Sequence, residues 1–149
     1  MEGVISSLNS LRCSFKQLHR KFINMKVKIS TKERFHVISI EEPVLTANMA
    51  EELGNVCLSF LQNEVKNVVL NMQEVKEVDL KAVEVVLSIQ QKFYDNNCSF
   101  VIFCINKDIE KKLDENELLD MMNITPTESE AWDIVQMEEI ERELLGGDE

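Results

Sequence analysis

The sequence predicts an α/β domain whose small mixed β-sheet has helices packed mainly on one side. At residues 67–72 the run Val68-Val69-Leu70 is continuously apolar, which indicates a strand covered on both faces. A helix then begins after Asp79, with apolar residues at spacings of four and three along one face. The second buried strand, residues 100–105, completes a β-α-β unit.

The segment before this unit predicts a hairpin and a helix. Residues 26–30 and 35–40 each alternate apolar with polar side chains, as two paired strands would. In this pattern His36 falls on the polar phase of the second strand. Thr46 is expected to cap a helix that runs to about Gln62.

The segment after the unit predicts two further helices and a short edge strand. Asn106 to Asp108 reads as a turn and cap, and residues 124–127 as an edge strand that tolerates its proline. Thr127 and Glu130 have the spacing of a capping box, in which hydroxyl and carboxylate satisfy two backbone amides. The helix that follows is expected to direct these side chains inward: Trp132, Val135, Ile140 and Leu144.

The charge of the chain limits its partners. The 149 residues carry a net charge of −11 with a pI near 4.7, which argues against nucleic acid because phosphate binding needs clustered Lys and Arg. Many of the acids lie in the last helix, where pairs such as Glu138-Glu139 read as solvated surface. A docking face for a basic partner is the alternative interpretation of this helix.

Residues 1–24 differ from the rest of the chain. They carry four basic residues against one acidic residue, and Val4, Leu8, Leu11, Phe15, Leu18 and Phe22 recur at spacings typical of an amphipathic helix. We expect a leader outside the fold. The alternative is a helix for a membrane surface or for targeting, since the segment is also rich in serine.

No pattern indicates an enzyme, a cofactor or a metal site. The four glycines do not form a phosphate-binding loop, and His19 and His36 stand apart from any metal-ligand or triad pattern. The four cysteines form no C-x-x-C pair, and no apolar run is long enough to span a bilayer. Reduced cysteines and a cytoplasmic location are therefore expected.

The order of elements carries a family resemblance. A strand of the form Val-Val-Leu-Asn-Met, a loop, an aspartate that opens a helix after Val78, and a further strand and helix resemble the STAS domain of bacterial anti-sigma-factor antagonists. The resemblance runs from about Met25 to about Leu145, which sets a single STAS-like domain at 25–145 and an acidic tail at 146–149. It implies a non-catalytic module that regulates transcription by binding an anti-sigma kinase type of protein.

The resemblance also indicates a site, and one departure within it. The family's helix usually opens Asp-Ser-Ser/Thr-Gly, in which the second hydroxyl accepts phosphate, whereas this chain has Asp79-Leu80-Lys81-Ala82. Lysine in a first helical turn is opposed by the helix dipole. This break of a local rule indicates partner binding through Asp79, Leu80, Lys81 and Glu84. The alternative is that Leu80 folds onto the loop and Lys81 pairs with Glu84.

Two functions are therefore expected, and neither is catalytic. The first is an anti-sigma-factor antagonist that cannot be phosphorylated at this turn. The second is an accessory subunit that docks on a transporter ATPase, because STAS domains are also found there.

Overall fold

The computed structural model describes residues 26–146, which hold seven strands and four α-helices. The strands are β1 Val27–Thr31, β2 Phe35–Ile40, β3 Val44–Leu45, β4 Asn67–Asn71, β5 Glu77–Val78, β6 Phe100–Phe103 and β7 Ile124–Thr125. The helices are α1 Ala47–Ser59, α2 Leu80–Asp95, α3 Lys107–Glu115 and α4 Glu128–Gly146. The expected leader at 1–24 lies outside the described residues, and so do residues 147–149 of the expected tail.

The main sheet is mixed, as the sequence predicts. Its five strands lie in the order β1-β2-β4-β6-β7. β1 pairs antiparallel with β2 as the expected hairpin, and β2, β4, β6 and β7 run parallel. The short strands β3 and β5 form a separate parallel pair.

Helix boundaries follow the predicted capping residues. The side chain of Thr46 accepts a hydrogen bond from the Met49 amide at the start of α1, and Asn106 accepts one from the Ile109 amide at the start of α3. The hydroxyl of Thr127 accepts from the Glu130 amide, which is one half of the expected capping box. Asn96 ends α2, and Asn97 follows in the left-handed conformation with φ 59°.

The sheet separates two apolar clusters of unequal size. The larger contains α1, α2 and α3 against one face, with Val68, Leu70 and Ile102 fully buried. The smaller lies under α4 and includes Val69, Val101 and Val135. Three helices on one face and one on the other agree with the predicted arrangement.

The predicted inward face of α4 is wrong in three of its four residues. Val135 is fully buried, but Trp132, Ile140 and Leu144 are 39%, 55% and 71% exposed. Its largest apolar residues lie on its outer side, so Ala131 and Val135, with the partly buried Ile134, make its apolar contact with the sheet.

The second half of α4 is held by polar side chains instead. Glu138 and Glu139, which the sequence analysis assigned to solvated surface, are partly buried. Glu138 accepts hydrogen bonds from Tyr94 at 2.7 Å and Ser99 at 2.6 Å. Glu139 accepts from Asn67 at 2.7 Å and forms an ion pair with Arg34 at 2.7 Å.

Among residues 26–146, no helix is long and apolar enough to cross a membrane. The described cysteines, Cys57, Cys98 and Cys104, are all free thiols.

Candidate functional site at the start of helix α2

The start of α2 lies just beyond the short β3-β5 pair. Asp79 is the N-cap residue in extended conformation, and its carbonyl accepts a hydrogen bond from the Val83 amide at 3.1 Å. Its carboxylate makes no capping hydrogen bond. Asp79 thus begins the helix, as the sequence predicts, but its side chain is exposed and does not cap the helix.

Hydrogen bonds from three directions fix the backbone that leads into this turn. The amides of Lys76 and Glu77 donate to the Pro43 carbonyl at 2.7 and 3.1 Å, and the Asp79 amide donates to Leu45 at 3.1 Å. The ammonium group of Lys112 donates to the Val78 carbonyl at 2.6 Å. The backbone of the turn is thus held in place by contacts within the fold.

Asn106 has two functions at this edge. Its side-chain oxygen caps α3, and its amide nitrogen lies 3.3 Å from the Val75 carbonyl and 3.4 Å from that of Lys76. The sequence indicated only the first of these. Nothing in the sequence pattern marked Lys112 as a support of the turn, because its partner is a backbone carbonyl 34 residues away.

The four predicted site residues lie together on the first turns of α2. Asp79, Lys81 and Glu84 are exposed and Leu80 is partly buried. The expected alternative pairing does not form, since the described part of the chain contains a single salt bridge, Arg34–Glu139. The turn therefore presents two carboxylates and one ammonium group to solvent around a half-covered leucine.

This position agrees with a general property of parallel sheets. Ligands of open α/β sheets bind beyond the carboxyl ends of the strands. The start of α2 lies at that edge, because Asn71 ends β4 and the loop from Met72 leads directly to β5 and Asp79.

A depression of about 1090 Å³ lies at the opposite edge of the sheet, beside Asn67, Tyr94 and Glu138. Burial, followed by the hydrogen bond to Glu138, raises the pKa of Tyr94, so its hydroxyl remains a donor. Every buried polar side-chain atom in residues 26–146 has a hydrogen-bond partner. These groups are hydrogen-bonded to one another and hold the second half of α4 against the sheet.

His36 is also a structural residue. It is 3% exposed, and its ring stacks on Phe60 with centroids 4.0 Å apart. The expectation that it lies on the polar phase of β2 is wrong, because His36 shares its strand face with Ile38 and Ile40, which belong to the larger apolar cluster. No group of three or more metal-ligating side chains was found in the described residues.

Comparison with protein families gives one match that covers most of the chain. The model of the STAS domain family matches residues 26–131. Comparison with curated protein sequences gives no match.

Solved structures with the same fold include regulators and a transporter. SpoIIAA, an anti-sigma factor antagonist of Bacillus, in its unphosphorylated form is 18% identical with a TM-score of 0.59, over 74% of this chain and 96% of that one. An anti-sigma factor antagonist from Mycobacterium paratuberculosis is 12% identical with a TM-score of 0.64, over 76% and 95%. The murine anion transporter Slc26a9 is 10% identical with a TM-score of 0.63, over 83% of this chain and 24% of that chain.

Proposed function

Because the chain belongs to the STAS domain family, we propose that it is a non-catalytic protein-binding module that regulates bacterial transcription. Its partner would be a protein of the anti-sigma kinase type, bound at Asp79, Leu80, Lys81 and Glu84. The observation that carries this proposal is the exposed turn itself, whose backbone is fixed while its charged side chains have no partners among residues 26–146.

The same turn supports a module that phosphorylation does not switch. SpoIIAA has been solved in a phosphorylated form, and in the family pattern the phosphoacceptor hydroxyl stands where this chain has Lys81. No serine or threonine occurs between Met72 and Ser88. Ser88 lies more than two turns into α2, too far from its start to replace that hydroxyl. Binding would then be constitutive, or regulated through the partner.

The charge of Lys81 provides a direct test. An exposed ion pair contributes about 0.2–1 kcal/mol, so Lys81→Ala should weaken partner binding about 1.4- to 5-fold and Lys81→Glu about 10-fold. Because exposed charges are screened by salt, the difference should shrink as the ionic strength rises. Titration calorimetry with the captured anti-sigma-type partner measures both effects. Lys92→Glu, at the other end of the same helix, is the matched control and should bind like the unmodified chain.

Unchanged affinity in both Lys81 variants would show that the turn is not the binding surface. Equal losses for Lys81→Glu and Lys92→Glu would contradict the assignment in another way, because they would indicate only a general effect of net charge.

A kinase assay tests the second part of the proposal. The full chain and the variant Lys81→Ser are incubated with the captured kinase and ATP, and phosphate is located by peptide mapping. We expect phosphate at the introduced serine and none within residues 73–90 of the unmodified chain. Stoichiometric phosphate at Ser88 of the unmodified chain would overturn the proposal that this helix is not switched.

The second candidate is an accessory subunit that docks on a transporter ATPase. The structural similarity to the anion transporter Slc26a9, of which 24% is matched, supports this second candidate. Affinity capture on the full chain, with Lys81→Glu as the control bait, separates the two functions. Recovery of a transporter ATPase by the full chain and its loss with Lys81→Glu would support the second function, whereas an anti-sigma kinase with the same dependence supports the first.

A further inference from the structure

The outer side of α4 carries an apolar stripe that nothing in the described chain covers. Met137, Ile140 and Leu144 recur at i, i+3 and i+7, and they are 57%, 55% and 71% exposed. Such spacing places them on one helix face. It is the face opposite to Ala131 and Val135, which contact the sheet. An α-helix at a domain surface ordinarily has polar residues on its solvent side.

Acidic residues border this stripe. Asp133 and Glu141 lie one turn before and one turn after Met137 on the same face, and both are exposed. The whole helix carries seven acidic residues and one basic residue. A second copy of α4 would therefore place like charges opposite each other along the helix. A basic amphipathic segment is electrostatically complementary to this surface.

The chain itself contains such a segment. Residues 1–24 have apolar side chains at helical spacing from Val4 to Phe22, and four basic residues against one acidic residue. If helical, residues 4–22 would be roughly 28 Å long, about the length of the 19-residue helix α4. They join the described chain at Lys26, directly before β1.

We propose that residues 1–24 dock through their apolar stripe onto Met137, Ile140 and Leu144 of α4. The family match covers residues 26–131, so it includes neither this segment nor the stripe. Because the segment is tethered, docking is intramolecular, and a weaker intrinsic affinity suffices than for a free peptide. The inference is independent of the function proposed for the α2 turn.

Cleavage of the full chain by chymotrypsin tests this docking. The enzyme cuts after large apolar residues, and docking buries Phe15 and Phe22, so the bonds that follow them should be cut about tenfold more slowly than in an undocked segment. The variant Met137→Glu should restore fast cleavage at both bonds, and Ile140→Glu should do the same. Mass spectrometry of the fragments measures each bond separately.

Met121→Glu is the matched control, because Met121 is 58% exposed and lies outside α4. It should leave the protection unchanged. The variant Lys16→Glu reverses one charge and leaves the Phe22–Ile23 bond unaltered, so it should raise the cleavage rate at that bond. Salt at 0.5 M should reduce the difference between this variant and the unmodified chain.

Three results would overturn the proposal. Equal cleavage rates in the unmodified chain and Met137→Glu would show that the segment does not dock on this face, and would leave the stripe to an external partner. Equal acceleration by Met121→Glu would place the docking elsewhere. A second copy of the chain would be the occupant if protection rose with protein concentration and light scattering showed a dimer. Met137→Glu would then dissociate that dimer.

Discussion

His36 shows how a single buried side chain is satisfied without taking part in chemistry. Its Nε2 lies 2.8 Å from the Val65 carbonyl, so this nitrogen donates. Its Nδ1 lies 2.9 Å from the hydroxyl of Thr31 and accepts a hydrogen bond from it. Both ring nitrogens are therefore used by the neutral imidazole. Protonation would place a second donor beside the hydroxyl and a charge in a buried site.

We expect this histidine to make stability depend on pH. Burial lowers the pKa of His36 below its ordinary value of 6.5, although the hydrogen bond to Val65 opposes the shift. Just below pH 6.5 the unfolded chain then binds a proton that the folded chain does not, so stability is complete above that pH and falls as the pH is lowered through it. Urea unfolding at pH 7.5 and 5.5 should show this loss.

The variant His36→Gln should remove that pH dependence, and His19→Gln is its matched control. If the loss of stability at low pH persisted in His36→Gln and disappeared in His19→Gln, the pH dependence would come from His19, and the prediction for His36 would be contradicted.

Residue patterns predicted the caps but not the environment of His36. A cap depends on its own residue and the next few amides, which explains why Thr46, Asn106 and Thr127 were recognised from the sequence. His36 shares its strand face with Ile38 and Ile40, which are fully buried in the larger cluster, so strand alternation itself indicates a buried position. Its stacking partner Phe60 lies 24 positions away, and the strand pattern does not indicate that contact.

At the scale of the element, α4 consists of two halves held by different forces. Its first half is attached through Ala131 and Val135. Its second half is attached through Glu138, Glu139 and Arg142, whose guanidinium group donates to the hydroxyl of Ser99 at 3.0 Å. Ser99 is fully buried, so the polar contacts of this half reach into the protein interior.

The variant Glu138→Ala should therefore be costly for a residue on the last helix. It leaves the hydroxyls of Tyr94 and Ser99 without their acceptor, and an unsatisfied buried polar group costs about 1–3 kcal/mol. Chemical unfolding of the full chain measures the change. Glu141→Ala, three residues further and exposed, should cost less than about 0.5 kcal/mol. Similar losses in both variants would mean that only the charge of the helix matters.

The elements that the sequence predicted are those with a strong period or a strong cap. The β3-β5 pair was missed because each strand has two residues, too few to show alternation. The inward face of α4 was misassigned because its largest apolar residues, Trp132, Ile140 and Leu144, are not those that contact the sheet. Periodicity identifies an amphipathic helix, but it cannot tell which side a helix buries when both carry apolar residues.

At the scale of the molecule, the candidate site and the second half of α4 lie at opposite edges of the main sheet. The α2 turn is beyond the carboxyl ends of the parallel strands, and Asn67 and Ser99 mark their amino ends. The position of the α2 turn was predictable, because Asp79 begins a long helix directly after the central strand. Its supports were not, because Pro43 and Lys112 come from distant parts of the sequence.

The main sheet packs against the larger apolar cluster, to which both β4 and α2 contribute. Leu70 is fully buried and Val86 is 2% exposed, and both belong to this cluster, as expected for the central strand and helix. Truncating a buried aliphatic side chain removes its transfer free energy and leaves a cavity, so Leu70→Ala should lower the free energy of unfolding by about 2–4 kcal/mol. Val86→Ala should also be destabilising, for the same reason.

Leu145→Ala is the matched control. Leu145 is 81% exposed, so its truncation should cost less than about 0.5 kcal/mol. Denaturant titration of the full chain decides the matter, and losses below about 0.5 kcal/mol for both core variants would contradict the assignment of β4 and α2 as the centre of the fold.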